Sequence, residues 1–290
     1  DITFLYRFLF QRGVRVGFQG ERGAYSEEAV RLYFGEDVEV FPCKTIREVF
    51  KNTEAGVIDY GVVPVENSIE GSVYETYDMF LSSSVRVVGE IILKIRHCLI
   101  ALPETSINDV KVVYSHPQAL AQCRGFLSSL GVETAVTYDT AGSVKMIKEN
   151  GLRNAAAVAS ERAATLYGMA VLARGIEDYG HNYTRFLVIS MHAAERGQES
   201  KTSIIFSTAH RPGSLYNALG AFARHNINLT KIESRPTRQR PWEYYFFVDF
   251  EGHQEEQHVK DALRELAGNA VFIKVLGSYP KAQTDFSERS

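Results

Sequence analysis

Thr184 and Arg185 stand side by side at the mouth of an apolar strand, within Gly180-His181-Asn182-Tyr183-Thr184-Arg185-Phe186-Leu187-Val188-Ile189. A core strand has no need of that pair. A site that must protonate a leaving group and hold a carboxylate does, because a hydroxyl donates one hydrogen bond and a guanidinium can fork onto two oxygens. Small hydroxyl and amide residues recur elsewhere, in Gly23-Ala24-Tyr25-Ser26, Glu66-Asn67-Ser68, Gly71-Ser72, Ser115-His116-Pro117-Gln118 and Thr140-Ala141-Gly142-Ser143. Each falls where a strand pattern gives way to a helix pattern, so each leaves backbone N–H groups without intrahelical partners. Alone, each is an ordinary helix cap. Several facing one cleft would bind a small anion.

The elements that must position these residues follow from the apolar spacing. Residues 14–18, 38–41 and 60–65 read as strands. Residues 26–34 read as a helix capped by Ser26, with Glu27 and Glu28 in its first turn. Thr45 and Glu48 form a capping box, as do Ser72 and Glu75 before a helix running through Met79 and Phe80. Beyond the long apolar stretch 85–102, strands are expected at 110–114, 135–138 and 155–159, with helices starting near Ser115, Thr140 and Ser160. This repetition predicts two α/β lobes built on mainly parallel sheets. The chain crosses between them near 85–100 and 175–188, and a small ligand would sit in the cleft. After a polar linker, 191–200, the pattern becomes strand 202–208, helix 214–224, strands 229–234 and 244–250, helix 255–266 and strand 271–277. That βαββαβ order is ferredoxin-like.

Composition narrows the function classes. The chain has 290 residues, 45% hydrophobic and 23% charged, with a net charge of -3. Charges of both signs are interspersed, so neither nucleic acid nor a membrane is the expected partner. Cys43, Cys98 and Cys123 are widely spaced and form no metal-ligand pattern, which fits reduced thiols in the cytoplasm. The apolar residues 2–10 lack a small-residue cleavage site and are expected to add a short strand or helix rather than to direct export. The segment from Lys281 onward is polar and expected to be loose.

Six blocks, in order, resemble the prephenate dehydratase family: Gly17 to Ser26, Val63 to Ser72, Ser115 to Cys123, Thr140-Ala141-Gly142, Ala159 to Ala164 and Asn182 to Phe186. The last unit resembles an ACT domain, an amino-acid-sensing module. Glu233-Ser234-Arg235-Pro236 matches its phenylalanine-binding motif, and Gly213-Ser214-Leu215 stands where Gly-Ala-Leu is usual. The resemblance implies a two-lobed, periplasmic-binding-protein-like catalytic domain over 14–190 and an ACT domain over 201–279. It also implies decarboxylating dehydration of prephenate to phenylpyruvate, control by L-phenylalanine, a homodimer or homotetramer, and no metal or other cofactor.

By the same resemblance Thr184 donates a hydrogen bond to the departing hydroxyl. Strand alternation puts Arg185 on the other face from Thr184, so it either holds a carboxylate or makes a structural ion pair. Phe186 returns to the face of Thr184, as a wall for the ring or as core. Asn67, Ser68, Ser115 and Gln122 are further polar contacts, with Ser72, Gln118 and Thr140 on the substrate side. Glu66 would orient Asn67. His116, before a proline at a helix start, reads as a cap rather than a base, with Gln118 a capping partner to Ser115. Gly213, Ser214, Leu215, Glu233 and Ser234 would surround the effector, with Arg235 and Pro236 shaping the loop.

Three rival readings are open. Arogenate dehydratase performs the same chemistry on the transaminated substrate. A bifunctional enzyme with chorismate mutase is not expected from the few residues before Val14. A non-catalytic amino-acid-binding regulator shares both architectures, but the sequence shows no basic helix-turn-helix pattern.

Overall fold

A computed structural model describes residues 13–238 and 240–282, so the expectations for residues 2–10 lie outside the described residues. The first lobe comprises β1 (Arg15–Gln19), α1 (Tyr25–Phe34), β2 (Glu39–Cys43), α2 (Ile46–Glu54), β3 (Tyr60–Asn67), β4 (Gly71–Ser72), α3 (Tyr74–Ser82) and β5 (Arg86–Lys94). The chain then enters a second lobe of β6 (Cys98–Ala101), β7 (Val112–Ser115), α4 (Pro117–Gln122), α5 (Arg124–Leu130), β8 (Glu133–Val136), α6 (Thr140–Asn150), β9 (Ala155–Ala159), α7 (Glu161–Tyr167) and β10 (Ala170–Arg174). It returns to the first lobe as β11 (Tyr183–Ser190). The first sheet runs β2-β1-β3-β11-β5 and the second β10-β6-β9-β7-β8. The two crossings fall where the apolar pattern places them. Parallel pairing is confined to β2-β1-β3 and to β8-β7-β9; the returning strand β11 pairs antiparallel with β3 and β5, and β6 with β9 and β10, so both sheets are mixed rather than mainly parallel.

A third sheet, β13 (Leu229–Pro236), β14 (Tyr244–Glu251), β12 (Ser200–Ser207) and β15 (Phe272–Pro280), carries α8 (Ser214–Arg224) and α9 (Gln257–Asn269). This is the ferredoxin-like βαββαβ unit. Alternation gives its strands two apolar faces. Ile204, Phe206, Val248 and Phe250 pack beneath the two helices. Ile205, Phe247, Leu276 and Tyr279 join Val63, Val65, Val87, Leu187 and Ile189 of the first lobe in one core. The aromatic run on β14 is therefore divided: Phe246 faces the helices, while Tyr245 and Phe247 face the first lobe.

The first lobe and this unit approach closely at Gly277. A Cβ there would lie 2.2 Å from the Val87 carbonyl oxygen, and the residue has φ +156. Only glycine lets β15 cross β5 at that distance.

Local chemistry explains several boundaries. Thr45 caps α2 by accepting from the Glu48 N–H at 3.1 Å, and the Glu48 carboxylate accepts from the Lys44 N–H at 2.7 Å. Two expected caps are corrected. Helix α1 begins one residue early behind Ala24, which puts Ser26 inside the first turn. Helix α3 begins behind Val73 without a side-chain cap, because the Ser72 hydroxyl is engaged by Glu233 and Lys231. Among the described residues no helix is long and apolar enough to cross a membrane. The three cysteines are free and buried. Lys281 is held by Glu251 at 2.7 Å, and residues 283–290 of the segment expected to be loose lie outside the described residues.

Candidate active site

A cavity of about 210 Å³ lies between the two lobes. The first lobe and its returning strand contribute Asn67, Pro64, Thr184 and Phe186, and the first turn of α1 adds Tyr25 and Ser26. The second lobe contributes His116, Gln118 and Gln122 from the start and end of α4, with Tyr138, Asp139 and Thr140 at the start of α6. Ile95 and His97 line it from the crossing between the lobes.

The pairing of β3 with β11 sets the reacting face. Thr184 lies opposite Asn67 and Arg185 opposite Glu66, after which the register shifts so that Phe186 faces Pro64. An irregularity of this kind re-aims side chains. Pro64 and Asn67 both reach the cavity, while Val65 and Glu66 turn to the other face.

Hydrogen-bond complementarity orders the protons along this wall. The Asn67 side-chain oxygen accepts from the backbone N–H groups of Ile69 and Glu70, both at 3.0 Å. Its amide nitrogen must then be the donor toward Asn182 Oδ1 (2.8 Å) and Thr184 Oγ1 (3.0 Å). The Tyr183 carbonyl at 3.2 Å shares these two amide hydrogens, and because an amide nitrogen cannot accept, the Thr184 hydroxyl does not spend its own hydrogen on Asn67 and keeps it for a partner in the cavity. Asn182 in turn donates through Nδ2 to Gln122 Oε1 at 2.8 Å, so the Gln122 amide nitrogen is free to face the cavity as a donor.

The ionisable groups are few. No lysine or arginine lines the cavity among the described residues. Burial lowers the pKa of His97, against the opposing pull of its hydrogen bond to Gln122 and of the nearby Glu177. Burial raises that of Asp139, although the N–H groups of Gly142, Glu21 and Ala141 oppose it. Burial also holds the Tyr25 phenol well above its ordinary value. His116 accepts from the Gln118 N–H through Nδ1 at 3.3 Å and so caps α4, as its place before Pro117 suggests. Among the described residues no group of three or more His, Cys, Asp or Glu is placed to hold a metal ion.

Six residues expected from sequence meet here: Thr184, Phe186, Asn67, Gln118, Gln122 and Thr140. Five do not line the cavity. Ser115 is fully buried and donates to the Val158 carbonyl at 2.6 Å, so it stitches β7 to its neighbour and forms no cap with Gln118. Ser68 donates to the His181 carbonyl and accepts from the Tyr183 N–H, pinning its loop to the start of β11. Arg185, Glu66 and Ser72 face the ACT-like unit. Arg185 is 9% exposed and binds Glu90 at 2.8 Å, Asp249 and the Tyr279 hydroxyl, which makes it a structural ion pair. Glu66 pairs with Lys231 at 3.0 Å.

Of the expected effector residues, Gly213 caps α8 in the left-handed region at φ 80, followed by Ser214 and Leu215. Glu233 and Arg235 turn inward to Ser72 and Asp78, while Ser234 and Pro236 alternate outward and are exposed. Sequence reading missed His97 and Asn182. The one signal for His97 is that Lys94 to His97 interrupts an otherwise apolar stretch with polar groups.

Comparison with known proteins agrees with this architecture. Residues 16–194 match the prephenate dehydratase family model and residues 202–268 the ACT domain model. A bifunctional chorismate mutase/prephenate dehydratase of Aquifex aeolicus is 46% identical over 274 residues, covering 94% of this chain and 75% of that protein. Arogenate dehydratase/prephenate dehydratase 2 of Arabidopsis thaliana is 44% identical over 278 residues, covering 92% and 73%. The crystal structure of prephenate dehydratase from Arthrobacter aurescens in complex with L-Phe superposes with a TM-score of 0.85 at 31% identity, covering 92% of this chain and 90% of that one. The chain therefore belongs to the prephenate dehydratase family and carries an ACT domain behind its two-lobed α/β unit.

Proposed function

We propose that this protein converts prephenate to phenylpyruvate, carbon dioxide and water in phenylalanine biosynthesis, under feedback by L-phenylalanine at the ACT domain. One observation carries the reading: Thr184 accepts from Asn67 and keeps its hydroxyl hydrogen for the cavity. Loss of the ring carboxylate as carbon dioxide pushes an electron pair through the ring and expels hydroxide. A donor fixed at that oxygen stabilises the charge as it develops, without reorganising. Gln122 supplies a second donor, and Phe186 lies against the ring. With no lysine or arginine to meet the carboxylates, the first turn of α1 receives one through backbone N–H groups and the helix dipole, since the N–H groups at the start of α6 are already held by Asp139.

Assignment of the catalytic unit to residues 14–190 and of the ACT domain to 201–279 belongs to the same reading, as do a cytoplasmic location and assembly as a homodimer or homotetramer. Phenylalanine would bind at Gly213, Ser214 and Leu215 and along Glu233 to Pro236. Glu233 and Arg235 contact the segment that follows Asn67, so occupancy of that loop reaches the site through Ser72 and Asp78. A turnover assay following phenylpyruvate from prephenate, with and without L-phenylalanine, tests both halves. Turnover that phenylalanine depresses supports them; silence on prephenate overturns the first. Arogenate is the second substrate to assay, because the Arabidopsis relative is named for both activities.

A further inference from the structure

His97 is buried at the crossing between the lobes, and both ring nitrogens are engaged. Nε2 lies 2.8 Å from Gln122 Oε1, and Nδ1 lies 2.8 Å from the Tyr25 hydroxyl. The proton order fixed by Ile69 and Glu70 reaches this ring through Asn67, Asn182 and Gln122, so Gln122 presents an oxygen and Nε2 must carry hydrogen. Tyr25 has one hydrogen, yet its oxygen also lies 2.9 Å from the Arg96 carbonyl, which can only accept. With His97 neutral, two acceptors compete for that hydrogen. With His97 doubly protonated every contact is satisfied: Nε2–H to Gln122, Nδ1–H to Tyr25, and Tyr25 to the Arg96 carbonyl.

We propose that His97 takes up a proton when a substrate with two carboxylates enters the cavity, so that the site favours a dianion over its amino-acid counterpart. The inference rests on the function proposed above and assigns His97 as a positioning residue that acts through Gln122. The charged and titratable groups around the ring agree. Glu177, from the segment before β11, accepts from the His97 backbone N–H at 2.8 Å and supplies one negative charge near the ring. Tyr25 from α1 stays neutral, with Glu28 acting on it from the next turn, and the neighbouring thiols of Cys98 and Cys123 are held protonated by burial. Gln122 from α4 is uncharged. In the empty cavity burial keeps the imidazole neutral. Two carboxylates arriving where no lysine or arginine lines the wall supply the countercharge that reverses the balance. Arogenate, with an ammonium group beside one carboxylate, supplies less.

The test is calorimetric. Prephenate is titrated into Thr184→Val, whose turnover is slowed enough to separate the binding heat from the steady heat of residual reaction, at about pH 8 in two buffers of different ionisation enthalpy; uptake near one proton per site on binding is expected. Uptake near zero is expected in T184V/H97Q, and persistence of uptake in T184V/H116Q excludes the other cavity histidine. In the wild type, kcat/KM for prephenate should fall about tenfold per pH unit above the linked pKa, while that for arogenate falls less. Should H97Q fail to fold, histidine nitrogen resonances of T184V with and without prephenate give the answer directly, since Nδ1 must gain a proton. Binding without uptake, or uptake indifferent to H97Q, overturns the proposal. Turnover of prephenate without uptake overturns it alone, whereas a wild type inert to prephenate removes the function reading with it.

Discussion

The β3–β11 pair presents two chemically opposed faces. Toward the cavity it shows Asn67, Thr184 and Phe186, an amide, a hydroxyl and a ring with no formal charge. One residue away on each strand, Glu66 and Arg185 face the ACT domain and pair with Lys231, Glu90 and Asp249. The two faces engage their polar groups by different means. The cavity face relies on ordered neutral hydrogen bonds that leave donors free, and the ACT face on charge neutralisation of Glu66 and Arg185, beside a buried Tyr77 hydroxyl that has no hydrogen-bond partner. A neutral wall suits a reaction in which charge moves through the substrate. A charge-paired wall suits a junction that must hold.

Substitutions on the two faces should separate stability from turnover. The largest expected effect is Arg185→Ala, which strands Glu90 and Asp249 without their guanidinium and should cost about 3–5 kcal/mol; the denaturant midpoint checks it, and a loss under about 1 kcal/mol would mean that water repairs the gap. Next, Thr184→Val should lower kcat roughly 100- to 1000-fold, in line with the loss of one oriented donor, while the melting temperature stays near that of the wild type. A melt that drops as far as that of Arg185→Ala would erase the distinction between the faces. Gly277→Ala forces a methyl into the Val87 carbonyl and should cost about 1–3 kcal/mol, read as a lower melting temperature with kcat retained below the melt.

Acid should act on the charged face first. Burial works to raise the Asp249 carboxyl, but Arg185, Ser203 and Lys201 together hold it below the usual carboxylate range. A depressed folded-state pKa contributes stability that is present above the unfolded value and lost as pH falls through the folded one, so the loss belongs below about pH 4. Melting temperatures of wild type and Asp249→Asn should converge as pH falls through that window; curves that stay parallel would show that Asp249 is not the group responsible. The smallest effect is expected from Asp78→Asn, at the partly exposed end of the Arg235 fork. It should cost at most about 1 kcal/mol of stability and weaken phenylalanine inhibition, checked by the inhibitor concentration at half activity.

Legibility from sequence followed the same division. Asn67, Gln118 and Thr140 could be found because polar residues at strand-to-helix junctions serve caps or clefts, whereas Thr184 and Gln122 were legible only through the motif blocks that resemble the family. The two lobes, their crossings and the βαββαβ order followed from apolar spacing. Ser115 was misplaced because spacing does not say whether a hydroxyl at a strand end turns along the helix axis or back into the sheet. Arg185 was left between two roles because its partners Glu90 and Asp249 are distant in sequence and meet it only through β5 and β14. His97 lies in no junction, and its part depends on an amide chain whose members span residues 67 to 182. The alanine-rich strand β9 shows the converse: four alanines and Val158 over Ala155–Ala159 have weak strand propensity, yet all five residues are buried at the centre of the second sheet, with the small side chains packed beneath α6.

The core shared by Val63, Val87 and Leu187 with Ile205, Phe247 and Tyr279 bears on any attempt to dissect the protein. A cut in the linker follows the boundary between the two family matches but not a physical seam. An excised catalytic fragment would expose an apolar slab and carry Glu90 and Arg185 without Lys201 and Asp249. Such a fragment should aggregate or need a compensating surface redesign, and inhibitor-resistant variants are better sought by point changes along β13 than by truncation.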